Sequence, residues 1–513
     1  MQKEGRDILL LVFLLAVPLA PLLFTVLRLD FIAYNNSSDT FLYLDIARNL
    51  IQGRGLVVSF NNYLFWTGTY YPALPFVHCA WPLLLSILWP VLSTLKSLVL
   101  CNFVLAIFNA GLVYRLAFRL MKDKPLAYVS ALIFVASVSF QMTLLRLLTE
   151  QLSLLVTLLA LWIWTTGPLN LRRASAAGLC LAAGFLICSS GFFYPLGFAA
   201  GLFFSAEDKT DKLRLAAVFL AASLGFMALW ETVIHSAYGV FYPQYPAAFQ
   251  NFYLSAFYHG GRLSLSIPAL RPQAVSAPVS FLGTNVLGVL RALFAMLQLL
   301  LIFSLAGTVR ILRKERSKLG LTLVLLAFVQ IFSMVCFYPY IKLNDAELVR
   351  FLMLPVLAFL IIGLKEFKAF CFWFFRGRGK IFFVAIILIV FWANMRQSLE
   401  VLDYYWAESR TEKARVFKGI AAWVQENTKS GELIAAEEFV FGSVYLERPV
   451  VSFLQLKLLD ENNLQKFKSI YHPRIIIVEK SAWKDRLLRQ AGYCPVLVKK
   501  GDFISPFAIY EAS

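Results

Sequence analysis

Long runs of apolar residues recur along most of this chain and constrain its fold more than any other feature. A helix needs roughly 20 apolar residues to cross a bilayer, and about eleven runs approach that length. The predicted spans are 8–28, 97–120, 125–145, 149–166, 174–189, 191–205, 213–238, 285–309, 319–339, 347–364 and 380–396. Only 15% of the 513 residues are charged and the mean hydropathy is +0.70, which excludes a soluble protein. The sequence therefore predicts a polytopic α-helical membrane protein.

Lysine and arginine residues cluster in every second loop between these runs. The clusters begin near Lys3, Arg115, Arg172, Lys209, Arg310 and Lys365. Cytoplasmic loops carry such an excess, so we expect a cytoplasmic N-terminus whose first apolar run is retained as a span. Each cluster adjoins a membrane span, so these loops explain the net charge of +18 and no nucleic-acid partner is expected. Residues 1–399 are predicted to form the transmembrane domain, with residues 29–96 as its first outer loop.

Residues 400–513 differ in character from the rest of the chain. The helix-like segment 411–428 is followed by four strand-like segments with amphipathic stretches between them. The positive-inside pattern assigns everything after about residue 397 to the outer side. The sequence thus predicts a small extracytoplasmic α/β domain that covers a membrane site or docks a partner.

The stretch SSDTFLYLDIARNLIQGRG, residues 37–55, has the pattern of an amphipathic helix just after the first span. Four polar residues are predicted to form one solvated arc of it: Asp45, Arg48, Asn49 and Gln52. Asp39 instead aligns with Tyr43 and Ile46, on the opposite face. Two interpretations of Asp39 stay open. It caps the helix N-terminus, or it faces a lipid-linked headgroup at the membrane surface.

Two acidic residues stand near the outer ends of later spans. Glu150 opens a span, where an acid is costly and often functional, although an i,i+4 salt bridge with Arg146 explains it equally well. Glu231 and His235 lie one helical turn apart. This spacing suits a metal pair completed by other helices, but an interhelical hydrogen bond is the favoured interpretation. The residues require no cofactor, and a divalent metal stays open.

The outer segment before residue 350 carries a second set of charges. Lys342 and Arg350 flank Asp345 and Glu347, and Arg350 is placed about one turn inside the apolar run. A buried guanidinium needs an anionic partner, which is either one of these two acids or a bound phosphate. Snorkelling of Arg350 to the headgroups is the alternative. We favour the phosphate.

Residues 39–55 and their setting resemble the GT-C glycosyltransferases that use polyprenyl-phosphate sugars, such as protein O-mannosyltransferases and the lipid A aminoarabinose transferase. In that superfamily an Asp-Glu-x-x-Tyr motif follows the first span. Here Asp39, Thr40 and Tyr43 stand at the matching positions, so a threonine replaces the second acid. Further matches are Gly53-x-Gly55, Tyr71-Pro72, Trp81-Pro82, Thr149-Glu150, and Arg350 followed by Pro355.

The resemblance implies transfer of a sugar from a polyprenyl-phosphate donor to a glycan, lipid or protein acceptor. The reaction would take place among the membrane lipids at the outer face of a bacterial inner membrane. Because phosphate leaves as a stable anion, one base and one cation near the phosphate suffice, and a single displacement inverts the anomeric centre. Asp39 is the expected base, Glu150 a second catalytic acid and Arg350 the phosphate clamp. The remaining expected substrate-binding residues are Tyr43, Arg146, Lys342, Glu231 and His235.

Two rival functions stay open at this point. A transporter or flippase of lipid-linked glycans would show inverted repeats and mid-membrane charges, whereas the notable acids here stand at outer ends of spans. A glycan polymerase or ligase would place its arginines in a large late outer loop, and loop 239–284 contains Arg262 and Arg271. The glycosyltransferase is the preferred interpretation.

Overall fold

The chain is mostly helical and forms two compact units. A computed structural model describes residues 2–28, 38–56, 80–92, 95–145, 149–188, 192–206, 211–238, 278–337, 349–409, 412–429, 431–436, 448, 450–452, 461–496 and 507–512. The first unit comprises Met1–Arg28, Thr94–Gly261 and Val275–Tyr404. The second comprises Leu29–Ser93, Arg262–Ala274 and Tyr405–Ser513. The sequence-based boundary at residue 399 stays a prediction.

Helices account for nearly all of the described residues before residue 430. In chain order they are α1 (Gln2–Arg28), α2 (Ser38–Ile51), α3 (Ala80–Leu92), α4 (Leu95–Met121), α5 (Lys124–Ala136), α6 (Val138–Leu144), α7 (Glu150–Thr165), α8 (Leu171–Ile187), α9 (Tyr194–Phe204), α10 (Lys212–Tyr238), α11 (Pro278–Leu297), α12 (Leu299–Arg310), α13 (Lys318–Phe337), α14 (Met353–Phe374), α15 (Gly379–Ser409) and α16 (Glu412–Asn427). A π-helical turn, Ile311–Glu315, extends α12.

Five described helices are long and apolar enough to cross a membrane: α1, α4, α10, α13 and α15. Two bent pairs raise the number to seven if each pair is one span: α5 with α6 bends by 58°, and α11 with α12 by 109°. The bends occur at Ser137, which has extended backbone, and at Gln298, whose φ is +49°. The chain is therefore a multi-pass membrane protein, but the predicted count of about eleven spans is not confirmed.

Small residues allow the helices of the first unit to approach closely. A Cβ at Gly178 of α8 would lie 2.6 Å from the carbonyl oxygen of Phe219 in α10. A Cβ at Gly363 of α14 would lie 2.6 Å from the carbonyl oxygen of Leu300 in α12. Membrane helices lack a hydrophobic driving force between them and pack through such contacts. These glycines therefore set the spacing of α8 with α10 and of α12 with α14.

The second unit contains α2 and α3, which pack together, and a five-stranded sheet. The strands are β1 (Ile434–Ala436), β2 (Val450–Ser452), β3 (Ile475–Glu479), β4 (Tyr493–Val496) and β5 (Phe507–Ala512), and the helices beside them are α17 (Glu461–Tyr471) and α18 (Ala482–Gln490). The strand order is β2-β1-β3-β5-β4. β1 is parallel to β2 and β3, whereas β5 is antiparallel to β3 and β4.

The core beside this sheet follows the alternation of β3. Ile476 and Val478 are fully buried and pack with Leu464, Phe467 and Leu488 of the two flanking helices. The four strand-like segments of the sequence each contain part of one strand, from β1 to β4. The sequence pattern did not indicate β5, and the extracytoplasmic position of this region stays a prediction.

Candidate functional site

An ion pair between Glu150 and Arg350 lies at the centre of the candidate site in the first unit. Glu150 is the first residue of α7, and Arg350 is the helical residue just before the turn at residues 351–352 that leads into α14. The Glu150 Oε1 and Arg350 Nε atoms are 3.5 Å apart. Glu150 is 7% exposed and Arg350 is 9% exposed. Two opposite charges are thus held together away from bulk water, where pairing offsets part of the cost of burying them.

A small cavity surrounds this pair where several helices begin. Glu150, Tyr194 and Met353 line it and are the first residues of α7, α9 and α14. Helix N-termini present unpaired N–H groups and the positive end of the helix dipole, which favour anions. The free space is about 30 Å³, which admits water but not a sugar. The cavity therefore combines three anion-favouring helix ends with a guanidinium and one carboxylate.

Hydrogen bonds fix the backbone on both sides of Arg350. The Ser139 hydroxyl donates to the carbonyl oxygen of Val349 over 2.7 Å. The Gln330 amide donates to the carbonyl oxygen of Phe351 over 3.2 Å, and its own oxygen accepts from the Tyr194 hydroxyl at 2.7 Å. The guanidinium carbon also lies 4.5 Å from the centre of the Phe351 ring. Arg350 is therefore presented by a backbone that α6, α9 and α13 hold in place.

A buried amide network supports the Glu150 side of the cavity. The Asn109 amide donates to the Gln151 backbone and side-chain oxygens, at 3.0 and 2.9 Å. The Gln151 amide donates in turn to the Thr143 hydroxyl at 2.7 Å. Asn102 donates to the carbonyl oxygen of Leu144 at 3.2 Å. These bonds tie α4, the end of α6 and the start of α7 together, so the position of Glu150 is set by residues that carry no charge.

The structure brings Glu150 and Arg350 together, although nothing in the sequence indicated that they are neighbours. For Glu150 a bridge to Arg146 was one of two open interpretations, and for Arg350 the candidates were a neighbouring acid or a phosphate. The structure pairs the two residues with each other. Arg350 is itself helical and is followed by a turn at residues 351–352, after which α14 begins. Four of the expected neighbours lie outside the described residues: Arg146, Lys342, Asp345 and Glu347.

In the second unit, α2 begins at Ser38, so the Asp39 backbone forms its first turn. The Asp39 side chain lies outside what the structure describes. Tyr43 is buried, as its apolar face predicted. The predicted solvated arc is wrong in part, because Asp45 and Asn49 are each only 1% exposed. Asn49 donates to Asp45 at 3.5 Å, so this polar pair is enclosed by the surrounding chain rather than hydrated.

The Gly53-x-Gly55 motif has a conformational explanation. Gly53 has φ +72° and Gly55 has φ +87°, a left-handed region that favours glycine. The Gly53 N–H donates to Leu50 and the Arg54 N–H to Asn49 as the helix ends. Arg54 also donates through its guanidinium to the Asn49 side chain at 3.3 Å. The two glycines thus end α2 and turn Arg54 back onto its last turn.

The proposed metal pair is not tested by the structure. Glu231 is partly exposed on α10, one turn before His235, whose side chain lies outside the described residues. Neither residue belongs to the described lining of the cavity around Glu150. Within the described parts of the chain, no group of three or more His, Cys, Asp or Glu side chains is placed to hold a metal ion. A divalent metal therefore stays an open prediction.

Comparison with known proteins identifies the fold. No protein-family model and no curated protein matches this sequence. Among solved structures, ArnT from Cupriavidus metallidurans bound to undecaprenyl phosphate is similar, with a TM-score of 0.60 and 11% identity over 97% of both chains. The oligosaccharyltransferase AglB from Archaeoglobus fulgidus, in complex with an inhibitory peptide and a dolichol-phosphate, gives a TM-score of 0.58 and 13% identity over 93% of this chain and 70% of AglB. The chain therefore has the GT-C fold that the sequence resemblance implied.

Proposed function

We propose that this chain is a membrane glycosyltransferase that takes a sugar from a polyprenyl-phosphate donor. The observation that carries the proposal is the anion-favouring cavity around Arg350 within a GT-C fold. The similar structures were solved with lipid phosphates, undecaprenyl phosphate in ArnT and dolichol-phosphate in AglB. A lipid phosphate is an anion that such a cavity recognises.

Arg350 is the group that receives the donor phosphate in this proposal. A guanidinium binds phosphate through two parallel N–H donors, and the adjacent helix N-termini add to the positive potential. In the structure the guanidinium faces Glu150, and the cavity is too small for a phosphate headgroup. Donor binding would therefore require Arg350 and Glu150 to separate or share the site. Glu150 would keep the guanidinium oriented until the phosphate arrives.

The proposed chemistry is a single displacement at the anomeric carbon. The bond from the anomeric carbon to the phosphate oxygen breaks, and the phosphate leaves with the bonding electrons. The bond from the acceptor oxygen or nitrogen to the anomeric carbon forms, and the acceptor proton passes to a base. Asp39 is proposed as that base, with Tyr43 beside it in α2. Arg350 stabilises the negative charge on the departing phosphate, and the anomeric configuration inverts.

The remaining proposals concern location and acceptor. The positive-inside pattern supports a reaction at the outer face of a bacterial inner membrane. The acceptor is proposed to be a glycan, lipid or protein on that side. Lys342, Arg146, Glu231 and His235 are proposed to help bind the substrates. The C-terminal sheet region is proposed to lie on the outer side as well.

Transfer can be tested with the full-length chain in nanodiscs. Radiolabelled polyprenyl-phosphate sugars are supplied one at a time together with a host membrane extract, and loss of label from the donor is followed. Wild type is expected to turn over at least one donor, and Asp39→Asn to turn over none while still binding it. Asp403→Asn changes an exposed acid of α15 and should behave as wild type.

Two results would contradict the proposal. Equal turnover by wild type and Asp39→Asn would remove Asp39 as the base. Movement of an intact labelled donor lipid across vesicle membranes, without loss of its sugar, would show a transporter instead.

A further inference from the structure

A second, larger groove lies at the other end of the helices that line the Glu150 cavity. It is about 600 Å³ in volume and is lined by the end of α9, the start of α10, the π-helical turn after α12 and the first half of α13. Gln330 of α13 lines the Glu150 cavity, whereas Leu321 of the same helix lines this groove. Nine residues of helix separate them by about 14 Å. The groove is thus separate from the candidate catalytic site.

A buried cation lies on one wall of the groove. Lys212, the first residue of α10, is 7% exposed. Its ammonium donates to the carbonyl oxygen of Ser205 at 2.6 Å. The Ser205 oxygen is neutral and occupies one of the three N–H donors of the Lys212 ammonium. Among the described residues no carboxylate forms an ion pair with Lys212. A buried ammonium without an anion is costly, so this wall favours an anionic ligand.

A second cation stands on a fixed loop across the groove. Arg316 has φ +41°, and its N–H donates to the carbonyl oxygen of Ile311 at 2.9 Å. Its own carbonyl oxygen accepts from the Ala206 N–H at 3.0 Å. The backbone of Arg316 is thereby tied to the π-helical turn and to the segment after α9. Its exposed side chain is positioned beside the groove together with Lys212.

The rim of the groove is apolar and open. Phe204 is 65% exposed and Leu213 is 72% exposed, and Leu312 continues the same surface. In a membrane protein, side chains of this kind contact acyl chains.

Cations in the groove and exposed apolar residues at its rim match the two parts of a phospholipid. A zwitterionic headgroup brings its own cation beside Lys212 and Arg316, whereas an anionic headgroup does not.

We propose that this groove binds the headgroup of an anionic phospholipid from the surrounding membrane. Lys212 and Arg316 contact the phosphate, and the acyl chains lie along Phe204 and Leu213. The basic clusters nearby place the groove in the cytoplasmic leaflet by the positive-inside pattern. The bound lipid would brace α9, α10 and α13, and α9 and α13 also support the Glu150 cavity. The proposal is independent of the sugar-transfer reaction.

Native mass spectrometry of the full-length chain, titrated with phosphatidylglycerol or with phosphatidylcholine of the same acyl chains, tests this proposal. Wild type is expected to bind phosphatidylglycerol at one site more tightly than phosphatidylcholine. Arg316→Asn should weaken phosphatidylglycerol binding about fivefold, the effect of one charge near a headgroup. Asparagine tolerates the left-handed backbone at this position. Lys212→Met should weaken binding at least as much if that variant folds.

Arg313→Asn is the matched control, since Arg313 is an exposed cation of the π-helical turn just before Arg316 and does not line the groove. It should bind phosphatidylglycerol as wild type does. The proposal is overturned if Arg316→Asn binds as wild type does, if Arg313→Asn loses as much affinity, or if both lipids bind equally. Displacement of the lipid by millimolar inorganic phosphate would show a site for free phosphate and would also overturn it.

Discussion

Glu150 and Arg350 form a buried ion pair, 3.5 Å between Oε1 and Nε, at the point where α7 and the turn before α14 begin. Taking one partner away leaves a charge in a site with little water, whereas replacing both does not. The pair therefore has two separable properties: it contributes to stability as a pair, and it provides a cation for an anionic substrate. Different variants test each property.

A double-mutant cycle tests the stability of the pair. Arg350→Gln alone should lower the free energy of unfolding by about 3 kcal/mol, because it removes a counterion from the buried Glu150. Glu150→Gln alone should have a similar effect for the opposite reason. The double variant should recover most of the loss. Thermal unfolding, followed by tryptophan fluorescence, measures wild type, the two single variants and the double variant. Additive losses in the double variant would show that the two residues do not depend on each other.

Gln330 is predicted to be a positioning residue for Arg350. Gln330→Leu removes the bonds to Phe351 and Tyr194, so the turn that directly follows Arg350 loses one of its supports. We expect the KM for the polyprenyl-phosphate donor to rise several-fold with a smaller change in kcat, at a stability cost of about 1 kcal/mol. Gln397→Leu removes a bond from a half-buried glutamine of α15 and should leave KM unchanged. A pure loss of folded protein, with KM unaltered, would contradict this role.

The contact of α12 with α14 is predicted to depend on Gly363. A methyl group there would collide with Ser304 Oγ and would lie 2.6 Å from the Leu300 carbonyl oxygen. Gly363→Ala should therefore destabilise the chain by about 1–3 kcal/mol. Gly111→Ala on α4 meets nothing within 4 Å and should be neutral or slightly stabilising. Equal thermal midpoints for the two variants would show that α12 and α14 are not in close contact.

The C-terminal sheet is predicted to lose stability at alkaline pH. Burial, together with its bond to Asp485, raises the pKa of Tyr510 to about 12. Because the folded-state pKa lies above the usual value of about 10, the protonated Tyr510 hydroxyl contributes fully to the free energy of unfolding below pH 10. This contribution is lost as the pH rises through 12. Between pH 8 and 11 the free energy of unfolding should fall by about 1 kcal/mol.

Pulse proteolysis of the full-length chain in urea, with a protease active in alkali, measures this effect on residues 461–512. Wild type is compared with Tyr510→Phe at each pH, so that changes in protease activity cancel. The stability advantage of wild type should shrink between pH 8 and 11. An advantage that stays constant would mean that Tyr510 does not ionise differently in the folded chain.

Local patterns in the sequence predicted many of the helices and the first four strands, but not how they meet. Apolar length indicated the positions of α1, α4 and α10, since a span is a local property. The bends at Ser137 and Gln298 depend on neighbouring helices and left no comparable signal. The burial of Asp45 contradicted its place in a polar arc, because helical periodicity does not say which face the rest of the chain covers.

The sequence predicted individual residues of the candidate site but not which of them are in contact. Glu150 and Arg350 were each notable because a charge beside an apolar run is costly. Their pairing joins positions far apart in sequence, and a single sequence holds no record of such a contact. Asn109, Gln151 and Gln330 were missed for a related reason. An amide within an apolar run is a signal that a buried polar network exists, but its partners become visible only when the helices are packed.

The most direct measurement of the central claim is equilibrium binding of undecaprenyl phosphate and of undecaprenol to the chain in nanodiscs. If the cavity around Arg350 receives a lipid phosphate, wild type should bind the phosphate at least tenfold more tightly than the alcohol. The double variant Glu150→Gln with Arg350→Gln, which removes both charges of the pair, should lose that preference while it stays folded. Equal affinity of wild type for the two lipids, or a preference that survives in the double variant, would contradict the claim.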